Sequence, residues 1–195
     1  MNALLSKVTP GAVGMIRMDH SHVLATFHQY EIGTPPKTRQ ALASTICLAL
    51  EIHAQIEEEI FYPAMRTADS EVVDKNIHEH DEMRRLIAHL RGADPATPEY
   101  DRTLMELMRE VMHHVADEET ILLPDAERVL GPDRLSELGA EMAKRRLQLS
   151  APHAGEMAMN TVRAMPASTM LMAAGALIGG AYLVNHAMKQ HAVSR

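Results

Sequence analysis

The sequence predicts an all-α protein, an up-down-up-down four-helix bundle with an additional short helix and a C-terminal apolar helix. Three observations lead there: aromatic residues make up only 3% of the 195-residue chain while methionine reaches 15, helix-start signals recur, and no stretch of strand-like alternation is long enough to compete. Thr9-Pro10, Thr34-Pro35 and Thr97-Pro98 each place a capping hydroxyl before a proline whose missing N–H is harmless in a first helical turn. The first helix is expected over 10–31, ahead of Gly33, and the second over 35–62, where Pro63 interrupts the ladder or confines it to a last turn. A third runs over 70–92. The turn-rich GADPATP leads to a fourth over 98–123, with Pro124 as a kink or stop, and a shorter helix over 132–149 follows Gly131. Short links force neighbouring helices to run antiparallel, which gives the bundle its topology.

The chain divides into a bundle with its following helix over 1–149, a small-residue, Pro-punctuated linker over 150–166, and an apolar helix over 167–195. Residues 167–184 carry no charge over 18 positions, and Gly175 and Gly179 have the small-xxx-small spacing of helix contacts in lipid. Two readings stay open: a membrane anchor, or a helix that packs on the bundle or on a second copy through residues 167–188. No secretory signal is visible at the start, and the single Cys47 excludes an internal disulfide and multi-thiolate metal sites. The expected location is cytoplasmic, with membrane association through the C-terminal helix if the anchor reading holds. A formal charge of −7 leaves no cationic surplus for phosphates, so nucleic acid is not an expected partner.

Histidine, at 12 residues, is the unusual feature, and two phrases bring it forward. HAQIEEEIFYP at 53–63 and HVADEETILLP at 114–124 repeat His, Glu, Glu, an aliphatic residue and Pro in order. Residues four apart share a helix face, so HxxxE lets both side chains reach one centre. Periodicity selects which pairs face inward. His53 and Glu57 lie in a stripe with Ile46, Ala49, Leu50, Ile56 and Ile60, and His114 and Glu118 lie with Leu107, Val111 and Ile121. The rival pair His113 and Asp117 sits among Glu106, Arg109, Glu110 and Thr120, and reads as surface. His20 shares its face with Val13, Ile16, Val23, Leu24 and Phe27, and His80 with Val73, Ile77, Met83 and Ile87. His22, His78 and His89 fall to solvent, His28 lies at the border, and the second Glu of each phrase, Glu58 and Glu119, faces elsewhere; Tyr30, Tyr62 and Glu58 are candidate near-site groups, with the surface or boundary reading favoured for all three.

An inward carboxylate without a partner costs several kcal/mol or stays protonated, and a bound cation removes that penalty while taking neutral imidazoles as donors. Four His and two Glu exceed the needs of one tetrahedral ion and suit two ions bridged by carboxylates. His20 to His80 is 60 positions and His53 to His114 is 61, so the first two helices are echoed by the next two, as a pseudo-twofold axis would relate them. The donor set alone admits manganese or zinc as well as iron.

The segments MDHSHVLATFHQYE, HAQIEEEIFYPAMR, HEHDEMRRLIAHL and HHVADEETILLP resemble the hemerythrin-like, or HHE cation-binding, family in its single-domain form, over about residues 12–149. The resemblance implies a non-haem, carboxylate-bridged di-iron centre. It makes His20, His53, His80 and His114 terminal ligands and Glu57 and Glu118 the bridges. Oxygen-carrying members place two His four apart on the third helix, whereas here Asn76 stands four before His80. That departure implies a more open or differently filled coordination position and favours a centre that binds, senses or reacts with a diatomic or peroxide ligand over reversible oxygen carriage. Three functions follow as expectations: a sensor of O2 or NO reporting through the fifth helix and the tail, an enzyme that detoxifies peroxide, NO or oxygen, and a bundle that stores or donates iron.

Overall fold

The computed structural model describes residues 10–164, and all of their regular structure is helical. In chain order it comprises α1 (Ala12–Phe27), α2 (Pro36–Ile56), a π-helical turn (Glu57–Phe61), α3 (Tyr62–Met65), α4 (Ser70–Gly92), α5 (Pro98–Asp117), a second π-helical turn (Glu118–Leu122), α6 (Leu123–Ser150), a 3-10 turn (Ala151–His153) and α7 (Ala154–Ala164). Helices α1, α2, α4 and α5 form the four-helix bundle.

The expected starts are only partly used. Thr97 caps α5, its hydroxyl accepting the Tyr100 N–H, and Asp69 caps α4 by accepting the Val72 N–H at 3.0 Å. Thr34 caps nothing: its carbonyl accepts the Arg39 Nε–H at 2.8 Å, and α2 opens on Pro35 and Pro36 without a side-chain cap. For α1 the N-cap is Gly11.

Pro63 and Pro124 do not stop their helices. Each is preceded by a π turn in which an N–H reaches five residues back, Tyr62 to the Glu57 carbonyl and Leu123 to the Glu118 carbonyl. The extra residue lets the chain pass a proline, which has no N–H to continue the α pattern. Gly131 then bends α6 with φ +72°, a left-handed conformation that a side chain disfavours. The half of α6 beyond this bend runs back along α1.

The close approach of α6 to α1 depends on Gly139. A Cβ there would lie 2.5 Å from the Pro10 carbonyl oxygen and 2.9 Å from the Ala12 nitrogen, both backbone atoms. Overpacking such a contact costs about 1–3 kcal/mol, more than the roughly 1 kcal/mol of helix propensity gained from Gly to Ala. Gly139→Ala is therefore expected to lower the denaturation midpoint and Gly139→Val to lower it further. An unchanged midpoint in both would show that α1 can shift away.

The segment after Ser150 that reads as a linker is helical as far as Ala164 and folds back on α2. Asn160 is buried, and Thr38 donates to the Arg163 carbonyl at 3.3 Å. No helix among the described residues is long and apolar enough to cross a membrane; the run at 167–184 lies outside them.

Two apolar clusters fill the interior. One gathers Val23, Phe27, Ile46, Leu50, Met83 and Leu107, and the other Ile16, Ile56, Phe61, Val73, Leu122 and Leu138. His20, His53, His80 and His114 each fall in sequence between a member of one cluster and a member of the other, so the site forms a polar layer between two apolar blocks.

Candidate metal centre

All six predicted residues are buried, with Glu57, His80 and Glu118 at 0% exposure, and they converge. His22, His28, His78, His89 and His113 are exposed. Two overlapping groups have potential ligand atoms all within 4.8 Å of one another: His53, Glu57, His80 and His114, and His20, His53, Glu57 and Glu118.

Contacts within the layer have a crossed order. The Glu57 Oε2 atom lies 3.2 Å from His53 Nε2 on its own helix and 3.4 Å from His80 Nε2 on α4. Glu118 Oε2 lies 3.6 Å from His114 Nε2 on the adjoining helix and 3.2 Å from His20 Nε2 on α1. The imidazoles themselves form two closer pairs, His20/His53 with ring centroids at 5.1 Å and His80/His114 at 4.7 Å, whereas His53 stands 6.3 Å and 6.4 Å from the two rings of the other pair. Each carboxylate thus spans from one imidazole pair to the other.

The residues fit a bound cation. His20 Nε2, His53 Nε2, Glu57 Oε1 and Glu118 Oε2 are buried without a hydrogen-bond partner, and buried polar atoms are rarely left so in a native fold. The electrostatics agree. Burial and the facing Glu118 push the Glu57 carboxyl well above the usual carboxylate range. For Glu118, burial acts in the same direction, but His114, His20 and His53 outweigh it and hold that carboxyl below the usual range. Burial lowers His53 to about 4, aided by the neighbouring His20; His20 reaches about 9 because Glu118 and Glu57 overcome its own burial. Opposed shifts in one small cluster are what a shared positive charge would relieve.

Behind the layer stands a second set of carboxylates. Every imidazole turns Nε2 inward and Nδ1 toward an acid: His20 to Glu119 at 3.0 Å, His53 to Asp19 at 3.4 Å, His80 to Glu58 at 2.8 Å and His114 to Glu79 at 3.0 Å. Such a partner fixes the tautomer that leaves Nε2 free as a donor to metal. The set obeys the same internal repeat, since Asp19 and Glu79 each precede an inward His and Glu58 and Glu119 each follow an inward Glu. The sequence leaves the second Glu of each doubled phrase, Glu58 and Glu119, facing elsewhere, and the structure corrects this by placing each against an imidazole Nδ1. The intervals of 60 and 61 positions were the available signal.

Tyr62 is the second correction. It is buried, and its hydroxyl reaches Glu118 Oε1 at 2.8 Å, Glu57 Oε2 at 3.3 Å and His80 Nε2 at 3.3 Å, while its ring stacks on His80 with centroids 5.5 Å apart. An unbroken α-helix puts Tyr62 on the face of Glu58. The π turn uses one residue more, so Tyr62 stands above Glu57 as a residue four positions on would. The repeat breaks at this point, because the counterpart above Glu118 is Leu123. Tyr30 is also buried, but its hydroxyl donates to Asp101 away from the centre. Asn76 is buried, and its Nδ2 donates to the Val72 carbonyl at 2.8 Å, leaving Oδ1 without a partner.

Residues 11–126 match the family described as Hemerythrin HHE cation binding domain. The chain belongs to the hemerythrin HHE cation-binding family. A solved HHE domain-containing protein from Mycobacterium kansasii superposes with a TM-score of 0.66 at 21% identity, covering 80% of this chain and 99% of that one, and so supports the fold. A curated relative from Nostoc sp. (strain PCC 7120 / SAG 25.82 / UTEX 2576), named DNA nickase, is 30% identical over 137 residues, 69% of this chain. The match spans 39% of that relative's length. This HHE chain is thus a metal-binding helical bundle with a buried His/Glu cluster.

Proposed function

We propose that the centre holds two iron ions bridged by Glu57 and Glu118, one beside His20 and His53 and the other beside His80 and His114, and that it binds O2, NO or a related small oxidant. The observation that carries this reading is the crossed contact pattern, in which each carboxylate reaches one imidazole of each pair. Bound iron would supply the electrons and the Lewis acidity that polarise an O–O or N–O bond. The chain's own residues do the rest. Four Nδ1-anchored imidazoles hold the donors in place, and the two apolar clusters exclude bulk water.

Tyr62 favours a second reading, in which the same centre turns over and reduces its oxidant. Its hydroxyl is the one phenolic donor among the described residues that reaches the carboxylate pair, and burial holds its pKa well above the usual range, so it keeps its proton and can donate to a ligand lodged there. Storage or donation of iron remains the third reading. The activity in the Nostoc relative's name is not carried over, because the match covers a minor part of that protein and this chain's formal charge of −7 does not suit a polyanion.

Rapid mixing of the reduced, iron-loaded protein with O2, NO and hydrogen peroxide separates these readings. A stable spectroscopic adduct is expected for the binder. Tyr62→Phe is expected to speed ligand loss or autoxidation by roughly tenfold, as for a lost hydrogen bond of about 1.4 kcal/mol. Repeated turnover that falls in Tyr62→Phe would favour the enzyme, and neither adduct nor turnover would leave storage.

A further inference from the structure

The four carboxylates behind the imidazoles are themselves held by cations, and the origin of those cations divides the centre. On the side of His80 and His114, both come from α4. Arg84 Nη2 lies 2.5 Å from Glu58 Oε1, and Lys75 Nζ, which donates to Asp117, lies 3.7 Å from Glu79 as a more distant ion pair. On the side of His20 and His53, both chains of contact run to α6, which is outside the four-helix bundle. Arg146 grips both oxygens of Asp19, one at 2.6 Å. Glu127 takes Arg17 Nη1 at 2.8 Å, and Arg17 Nε donates to Glu119 Oε2 at 3.1 Å. The internal repeat relates the four acids but not their cations: Lys75 and Arg84 correspond to Met15 and Leu24 in the first half.

We propose that α6, through Arg146 and through Glu127 with Arg17, positions the His20/His53 half of the centre selectively, so that loosening α6 weakens the binding of one metal ion and spares the other. This rests on the two-ion reading above. Arg146 carries most of the effect, because it is a bidentate grip on a carboxylate that is 17% exposed, whereas Arg17 and Glu127 are 41% and 49% exposed and such surface pairs contribute little. Loss of Arg146 leaves Asp19 free to turn away from His53 Nδ1, and the imidazole then loses both its fixed tautomer and its aim. Arg146 is a positioning residue, since it does not reach the ligand atoms. The bend at Gly131 separates Glu127 from Arg146, so both parts of α6 reach the same half; the remaining α6 pair, Arg145 with Glu59, is a surface contact to a carboxylate that holds none of the four imidazoles. Movement of α6 would thereby set the occupancy of a single metal position, and metal at that position would in turn hold α6 on the bundle.

The test is an anaerobic iron(II) titration of the full chain, followed by Mössbauer spectroscopy of ⁵⁷Fe-loaded samples. For Arg146→Gln, one binding step is expected to weaken by about tenfold, the low end of the range for a lost partner of a metal-bound imidazole, because Arg146 acts through Asp19. At intermediate iron the spectrum should then show isolated ions in place of pairs. Arg146→Lys should recover part of the loss. Arg84→Gln is expected to weaken one step as well, but in the other half. Adding His20→Ala to Arg146→Gln should leave the retained ion in place, while adding His80→Ala should remove it. Equal weakening of both steps in Arg146→Gln, or no weakening in a variant that keeps its helical circular dichroism, overturns the proposal. A wild-type chain that takes up only one ion overturns the two-ion reading itself, and that result is read before any variant is made.

Discussion

His114→Ala is expected to abolish loading of the paired centre, and His113→Ala, one residue away, to leave it intact. The two side chains differ in facing, not chemistry. His114 is buried with Nε2 3.2 Å from His80 Nε2 and 3.6 Å from Glu118, whereas His113 is 62% exposed and approaches only Glu79 and Asp117, at 3.9 Å and 3.7 Å. Truncating His114 removes a donor, opens a cavity in the polar layer and leaves Glu79 without its Nδ1 partner. The check is iron per chain after anaerobic reconstitution, with circular dichroism to confirm that both variants fold. Equal loss in both would mean that the helix phase assigned to α5 is wrong.

Metal loading should also move the thermal stability by a large amount. A ligand that binds the folded state alone stabilises it by about 4 kcal/mol when its free concentration is about a thousandfold above its dissociation constant. For a domain of this size that corresponds to a rise in Tm of roughly 8–16 °C. Glu57→Gln is expected to abolish the rise, since an amide cannot bridge two cations as a carboxylate does. The metal-free form should respond in the opposite direction. There Glu57 is a fully buried acid beside Glu118 that must either bear an unfavourable charge or take up a proton on folding, and a permanently neutral amide of the same shape removes that cost. The metal-free Tm of Glu57→Gln should therefore equal or exceed that of the metal-free wild type. A metal-free variant clearly less stable than wild type would show that Glu57 stabilises the bundle in its own right.

The residues that were legible in the sequence were those governed by simple α-helical periodicity. His20, His53, Glu57, His80, His114 and Glu118 each lie on an apolar stripe of regular 3.6-residue spacing, and the repeat of 60 and 61 positions placed them at matching heights. Periodicity failed where the helix changes its own pitch. Glu57–Phe61 and Glu118–Leu122 are π turns, so an α-helical projection sent Tyr62 toward the surface when its hydroxyl lies among the carboxylates. Pro63 and Pro124, each six residues after an inward Glu, marked the irregularity without revealing its form. Glu58 and Glu119 were obscured for a related reason: they flank the inward face and reach around to Nδ1 atoms on neighbouring helices, a contact that depends on helix packing. Arg146 carries no local signal at all, because its place beside Asp19 depends on the bend at Gly131 that brings α6 back along α1. The same holds for Ala154–Ala164, whose short, small-residue sequence beside Pro152 reads as a linker until α2 offers it a surface.

Mössbauer spectroscopy of the anaerobically reconstituted ⁵⁷Fe protein, with the iron content measured on the same sample, tests most directly whether two metal ions are shared by the two carboxylates. Two irons per chain are expected, and oxidation should give an antiferromagnetically coupled pair with a diamagnetic ground state. One or fewer irons per chain, or a spectrum of magnetically isolated ferric ions at full loading, would contradict it.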